Sequence, residues 1–182
     1  LFKLLPFPKQ KAAIITTGSE VASGLIKDTF TPVVVAKLKK YNIEAISHVI
    51  IGDDKEIIEE NIRKMQENED IDMIICTGGM SVDPDDKTPA AISASADKMI
   101  TYGTPVLPGA MFCLGYDEKT RPIVGLPGCV MYARSTIFDL ILPRLAAKDL
   151  VTRDEIARLG HGGLCLECDI CTYPECSFGK GA

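Results

Sequence analysis

Between Ala12 and Leu145, short apolar, β-branched runs alternate with longer amphipathic segments, and few folds accommodate that alternation. A strand buried on both faces reads as a continuous apolar run, and the helix that follows must cover one face of the sheet. The chain is therefore predicted to be an α/β domain of three layers, α/β/α, around a mostly parallel sheet. The first strand is placed at Ala13 to Thr16. Thr31 and Pro32 read as N-cap and first residue of a helix that carries Val33, Val34, Leu38 and Tyr41 along one stripe. Glu44 to Ile51 is the second strand. Asp53 with Glu56 makes a capping-box-like start to a helix turning Ile57, Ile58, Ile62 and Met65 inward. Ile71 to Cys76 is the third strand, and Thr88 with Pro89 opens the next helix. Lys98–Tyr102 and Met111–Tyr116 form a pair of short strands around GTPVLPG, and Arg121–Val124 is the last strand. One apolar helix from Cys129 to Leu145 packs on the sheet, and Thr152 with Glu155 caps a short helix ended by Gly160.

Residues 1–11 read as a linker from an upstream domain, 12–150 as the main domain, and 151–182 as a short helix and cysteine-rich tail. With 182 residues, 46% of them hydrophobic, the chain can bury one sizeable core. A net charge of −5 argues against nucleic acid as a principal partner, because phosphate backbones demand a dense Lys/Arg surface. No apolar run approaches the roughly 20 residues that span a bilayer, so no membrane role is expected, and a cytoplasmic protein with a small-molecule partner is.

Ligands of open α/β sheets sit beyond the carboxyl ends of the strands, where glycines recur here: Gly18, Gly78-Gly79, and Gly125 to Gly128. Glycine lets backbone N–H groups approach a phosphate, and a following helix N-terminus adds partial positive charge. Glycine is also the ordinary residue of a tight strand-to-helix turn. Asp83, Asp85 and Asp86 crowd the loop after Gly78-Gly79, where a Mg²⁺ ion would relieve their repulsion. Alternatively, Pro84 and its flanking aspartates simply build a turn. Asp53 likewise reads either as a site residue or as an N-cap.

TGSE at Thr17–Glu20, Gly24 with Ile26 and Asp28, IIGDD at Ile50–Asp54, TGGMSVDPDDKTP at Thr77–Pro89 and GLPG at Gly125–Gly128 together resemble the molybdopterin-binding domain. That family includes molybdopterin adenylyltransferases, molybdopterin molybdotransferases, gephyrin and the amino-terminal domain of competence-damage-inducible proteins. The resemblance covers roughly Ala12 to Ala146 and implies a role in molybdenum cofactor biosynthesis, by adenylylation of molybdopterin or by molybdate insertion. It implies that Thr77, Gly78, Gly79 and Ser81 hold the terminal phosphate of molybdopterin or its adenylylated form. Asp83, Asp85 and Thr88 belong to the same cofactor-binding loop, and Gly125, Pro127 and Gly128 close the pocket. Asp86 and Asp53 fall on the catalytic acidic positions. ATP, molybdate and Mg²⁺ are the implied co-substrates and cofactor, and a homo-oligomer, trimer or dimer, the implied assembly. GGMS resembles the molybdotransferase loop, whereas DPDDKTP is similar to the adenylyltransferase and competence-protein loops. A nucleotide pyrophosphatase-like enzyme and a non-catalytic cofactor-binding or redox-sensing module are the alternatives.

The tail carries Cys165, Cys168, Cys171 and Cys176 in the spacing C-x2-C-x2-C-x4-C. Thiolates so spaced suit a tetrahedral Zn²⁺ or an iron–sulfur cluster, and no other feature of the domain requires them. His161 is a candidate to replace one thiolate. Disulfides or unstructured thiols are the competing readings. Cys76, Cys113 and Cys129 read as small core residues.

Overall fold

The central strands are the most apolar, and they lie where both sheet faces are covered. The structure is a computed structural model that describes residues 4–81, 83 and 85–181. Six strands, β1 (Gln10–Thr17), β2 (Ile43–Ile51), β3 (Met73–Thr77), β4 (Lys98–Tyr102), β5 (Cys113–Tyr116) and β6 (Pro122–Leu126), form one sheet in the order β2-β1-β3-β6-β5-β4. The first four in that order are parallel; β5 then pairs antiparallel to β6, and edge strand β4 antiparallel to β5. All of β3 and β6 is buried, whereas edge strand β2 alternates covered and open positions.

The side-chain period of two splits each central strand between two cores. Ala12 and Ile14 of β1 face one layer, in which helix α2 (Phe30–Lys39) contributes Val34 and Leu38. Helix α5 (Ile137–Ala146) adds Phe138, Ile141, Leu142 and Leu145 to that layer, and α6 (Arg153–Arg158) adds Ile156. Ala13 and Ile15 face the other layer, supplied by Ile58 and Ile62 of α3 (Lys55–Glu67) and Ala91 and Ile92 of α4 (Thr88–Ser95). The three-layer α/β/α arrangement is thus observed. Among the described residues no helix is long and apolar enough to cross a membrane.

Several boundaries differ from expectation for local reasons. Strand β1 begins at Gln10, inside the segment read as a linker, because Gln10 is buried and its side-chain amide donates to the Ala146 carbonyl at 2.6 Å. Helix α2 starts at Phe30 rather than after Thr31, since Asp28 Oδ1 accepts from the Phe30 and Thr31 amides and satisfies two orphan donors. Asp54, not Asp53, caps α3 by accepting from the Ile57 amide at 3.0 Å. Thr88 is the first residue of α4, not its N-cap.

The long helix expected over Cys129–Leu145 is instead a 3₁₀ turn (Gly128–Met131), an irregular link and α5. The break is stabilised by a capping box of Thr136 and Asp139. Asp139 also receives Lys37 Nζ at 2.6 and 2.7 Å, a nearly buried ion pair that joins α5 to α2. Pro143 inside α5 cannot donate to the Asp139 carbonyl four residues back. The Tyr173 hydroxyl of the tail donates to that carbonyl at 3.1 Å, so the tail docks on the gap the proline leaves.

Candidate functional site

The parallel strands deliver their carboxyl ends to one edge of the sheet. From β1 the chain moves outward through α2 to β2, then returns past β1 to β3 and continues into α4 on the opposite face. Neighbouring strands whose connections leave toward opposite faces open a crevice between them. Here that switch point lies between the ends of β1, at Thr17-Gly18, and of β3, at Thr77-Gly78. Gly78 has φ +84°, and a Cβ placed on it would stand 2.0 Å from the Thr17 carbonyl oxygen, so only glycine lets the two strand ends approach. Thr17 Oγ1 and the buried Thr88 Oγ1 are 3.0 Å apart, tying the end of β1 to the first turn of α4. Among the described residues, the Gly79 and Met80 amides meet no acceptor.

The acidic loop beyond these glycines is held by its own side chains. Asp86 Oδ2 accepts from both the amide and the hydroxyl of Ser81, the hydroxyl at 2.8 Å. The Asp83 amide donates to the Ser81 hydroxyl at 3.1 Å, and the Asp85 amide to Asp83 Oδ1 at 3.0 Å. Val82 and Pro84 lie outside the described residues, and with them the turn read from Pro84. Asp53, freed of capping, accepts from the Ser19 amide at 2.8 Å and hydroxyl at 3.1 Å, linking the end of β2 to the short helix α1 (Ser19–Ala22). Each of the two candidate catalytic aspartates is therefore anchored by a serine at a strand end. Gly125 lies within β6, where a Cβ would press on Met80, Ile92 and Cys113, so its bareness serves packing. Pro127 is buried and Gly128 exposed at the start of the 3₁₀ turn.

Asp83 and Asp86 also line a groove of about 550 Å³ with Pro89, Tyr102 and Arg153. Tyr102 and Arg153 escaped the sequence reading, because pairing of β4 with the sheet and docking of α6 bring them there. Burial first, then Cys113 and Asp86 nearby, raise the Tyr102 phenol above its ordinary pKa.

Beneath the crevice runs a polar network also missed in the sequence. Thr77 donates to Thr16 at 3.3 Å, and Thr16 Oγ1 is 3.1 Å from His48 Nε2 and 3.3 Å from Thr31 Oγ1. His48 Nε2 lies 3.2 Å from Asp28 Oδ2. A lone histidine on an edge strand carries no sequence signal; the register that sets His48 beside Ile14 of β1 creates it. Burial pushes the Asp28 carboxyl up, but hydrogen bonds from Thr31 and Phe30, with His48, outweigh it and hold the pKa below the ordinary carboxylate value. A carboxylate depressed by folding stabilises above its unfolded pKa, and that contribution fades as pH falls through the folded value. Asp28→Asn is thus expected to cost about 1–2 kcal/mol at neutral pH. The difference from the parent should close only under acid, below about pH 4; urea unfolding at several pH values measures it, and a pH-independent gap contradicts the assignment.

Among the described residues, no three His, Cys, Asp or Glu side chains are gathered to hold a metal ion. This corrects two expectations. The acidic loop is not a ready-made Mg²⁺ cage, since its carboxylates cap neighbouring donors. Cys165, Cys168, Cys171 and Cys176 are free thiols that do not converge as a Zn²⁺ set, and His161 does not complete one. Cys76 and Cys113 are core residues: burial raises both thiol pKa values, that of Cys113 to about 12.

Strand order and helix placement together define an α/β domain with a topological switch point at the carboxyl edge of a mostly parallel sheet. The family model described as a probable molybdopterin binding domain matches residues 13–147, and the chain belongs to this molybdenum-cofactor-biosynthesis type of domain. The molybdopterin biosynthesis enzyme MoaB of Thermus thermophilus superposes with a TM-score of 0.66 at 23% identity, over 75% of this chain and 91% of that one. The molybdopterin biosynthesis Mog protein of Mycobacterium ulcerans gives 0.62 at 22% identity, over 78% of this chain and 99% of that one. A CinA-like protein of Solibacter usitatus is 33% identical over 96 residues, which are 53% of this chain and 23% of that protein. The chain therefore spans under a quarter of the length of that relative.

Proposed function

We propose that the β1/β3 crevice binds the phosphate of molybdopterin or of its adenylylated form, and that the domain acts in molybdenum cofactor assembly by transferring an adenylyl group to that phosphate. The observation that carries this reading is the glycine approach at Gly78. It sets the Gly79 and Met80 amides at the carboxyl edge, without an acceptor among the described residues, beside the first turn of α4. Backbone amides at a helix N-terminus are suited to a phosphate. Ser81 adds a hydroxyl that can turn from Asp86 to the ligand, and Gly128, at the open end of the β6 loop, leaves room for it.

Attack by the pterin phosphate on the α-phosphorus of ATP forms the new phosphoanhydride bond and releases pyrophosphate. The chain's part is to orient the attacking oxygen with its amides and to place Asp86 and Asp53 around the nucleotide. Mg²⁺ would enter with the triphosphate, since the loop offers one or two carboxylates rather than a full cage. Molybdate insertion uses the same crevice, with the adenylylated pterin as ligand. Assembly as a trimer or dimer belongs to this reading too, and the MoaB and Mog likeness supports it only as a likeness of fold.

Calorimetric titration with molybdopterin, followed by ATP and Mg²⁺ with chromatography of the nucleotides, tests the reading. Saturable 1:1 binding and pterin-dependent pyrophosphate release are expected. Binding without adenylyl transfer turns the assignment to insertion or to a non-catalytic module. ATP cleavage without pterin turns it to a nucleotide pyrophosphatase, and neither binding nor cleavage overturns it.

A further inference from the structure

We infer that the tail loop of Cys165, Cys168, Cys171 and Cys176 is the seat of a [4Fe–4S] cluster, held at a site separate from the β1/β3 crevice. The loop is closed at its base, where the Gly179 amide donates to the Gly162 carbonyl at 3.0 Å and Leu164 bridges to Leu107. Phe178 is buried in the main core and Tyr173 is hydrogen-bonded to α5, so the tail is docked on the domain. Between these anchors the chain has no helix or ladder strand, and Leu166 and Ile170 point outward, 70% and 81% exposed. Such a loop ordinarily packs around its own side chains. Here all four cysteines line one cavity of about 460 Å³, with Arg134 the cationic side chain of its wall.

The placing of all four cysteines on one cavity, and their spacing along the sequence, favour a cluster over a single ion. Four thiolates on one Zn²⁺, each at about 2.3 Å, stand about 3.8 Å from one another. Among the described residues no three ligating groups are gathered to hold one metal ion. A cluster distributes its thiolates over several metals and holds them farther apart, and successive C-x2-C-x2-C steps supply three cluster ligands in the bacterial ferredoxin run. Cys165 and Cys176 are half-buried against the core, while Cys168 and Cys171 are exposed, so the loop offers both a fixed side and an open side for loading. Loading is a ligand exchange. Each cysteine thiol binds as thiolate and passes its proton to the departing small-molecule thiolate of a preformed cluster, and no electrons change hands.

The test is anaerobic incubation of the full chain with a synthetic [4Fe–4S] cluster carrying mercaptoethanol ligands, then desalting and assay of iron, sulfide and zinc. Retention of about four irons and about four sulfides per chain is expected, with a visible absorption band that bleaches on reduction. Cys168→Ser and Cys171→Ser, at exposed positions, should each reduce bound iron at least about fourfold, while Cys129→Ser retains it. Unchanged circular dichroism of the apo variants separates loss of ligation from loss of fold. Iron at background overturns the inference, as does equal loss in Cys129→Ser or exclusive uptake of one colourless zinc per chain. Because the readout is metal content, its failure leaves the crevice assignment standing, and the converse also holds.

Discussion

Gly78→Ala is expected to lower the unfolding free energy by about 3 kcal/mol and to abolish binding of phosphate-bearing ligands. Two costs combine. An L residue at φ +84° is strained by about 1–2 kcal/mol, and the added carbon meets the Thr17 carbonyl oxygen at 2.0 Å. That neighbour is backbone of a central strand hydrogen-bonded on both sides, so it cannot turn aside as a flexible side chain would. Relieving the clash means parting β1 from β3, at about 1–3 kcal/mol for a forced fit in a packed core. The same parting displaces the amides that follow Gly78. Gly128→Ala is the control: its Cβ would meet nothing within 4 Å, and its stability should stay within about 0.5 kcal/mol of the parent. Urea midpoints measure both, and a Gly78→Ala midpoint equal to that of the parent contradicts the close approach on which the crevice depends.

The three layers were legible because burial leaves its period in the composition of each segment. Strand β4 falls on Lys98–Tyr102 as expected, and β2 differs from expectation by one residue. Errors arose where a local hydrogen bond competes with the hydrophobic pattern. Apolar residues recur from Val130 to Leu145 on both sides of Arg134-Ser135-Thr136, and Thr136 and Asp139 form a capping box that restarts the helix there. Asp53 and Asp54 are adjacent and equally able to cap; only the Ser19 amide, brought in by pairing of β1 with β2, decides between them. That decision matters for function, since it removes the capping explanation for Asp53. The glycine loops could be read from the sequence, but the use of each could not: Gly78 admits a strand end, whereas Gly125 admits side chains of the opposite layer. His48, Tyr102 and Arg153 join the site through strand register and helix docking, which no local pattern encodes. The cysteine spacing of the tail was legible, while the tail's attachment depends on Pro143, whose missing N–H leaves the carbonyl that Tyr173 reaches.

Asp86→Asn should leave the fold intact while adenylyl transfer falls at least about 100-fold, the usual worth of a well-placed charged group acting in the transition state. The substitution isolates charge from geometry. Asp86 receives two donors from Ser81 on one oxygen, and the amide oxygen of asparagine can accept both, so the loop stays closed. Stability within about 1 kcal/mol of the parent is expected, together with nearly unchanged pterin affinity. Ser81→Ala supplies the complementary measurement, because it keeps the carboxylate and removes the hydroxyl. Its expected effect is a loss of about 1 kcal/mol, or about fivefold, in affinity for phosphate-bearing ligands. If Asp86 merely fastened the loop, the two variants would lose turnover alike and by a small factor. A steep loss in Asp86→Asn with a shallow one in Ser81→Ala assigns the carboxylate to the reaction, and turnover within about twofold of the parent in Asp86→Asn removes it.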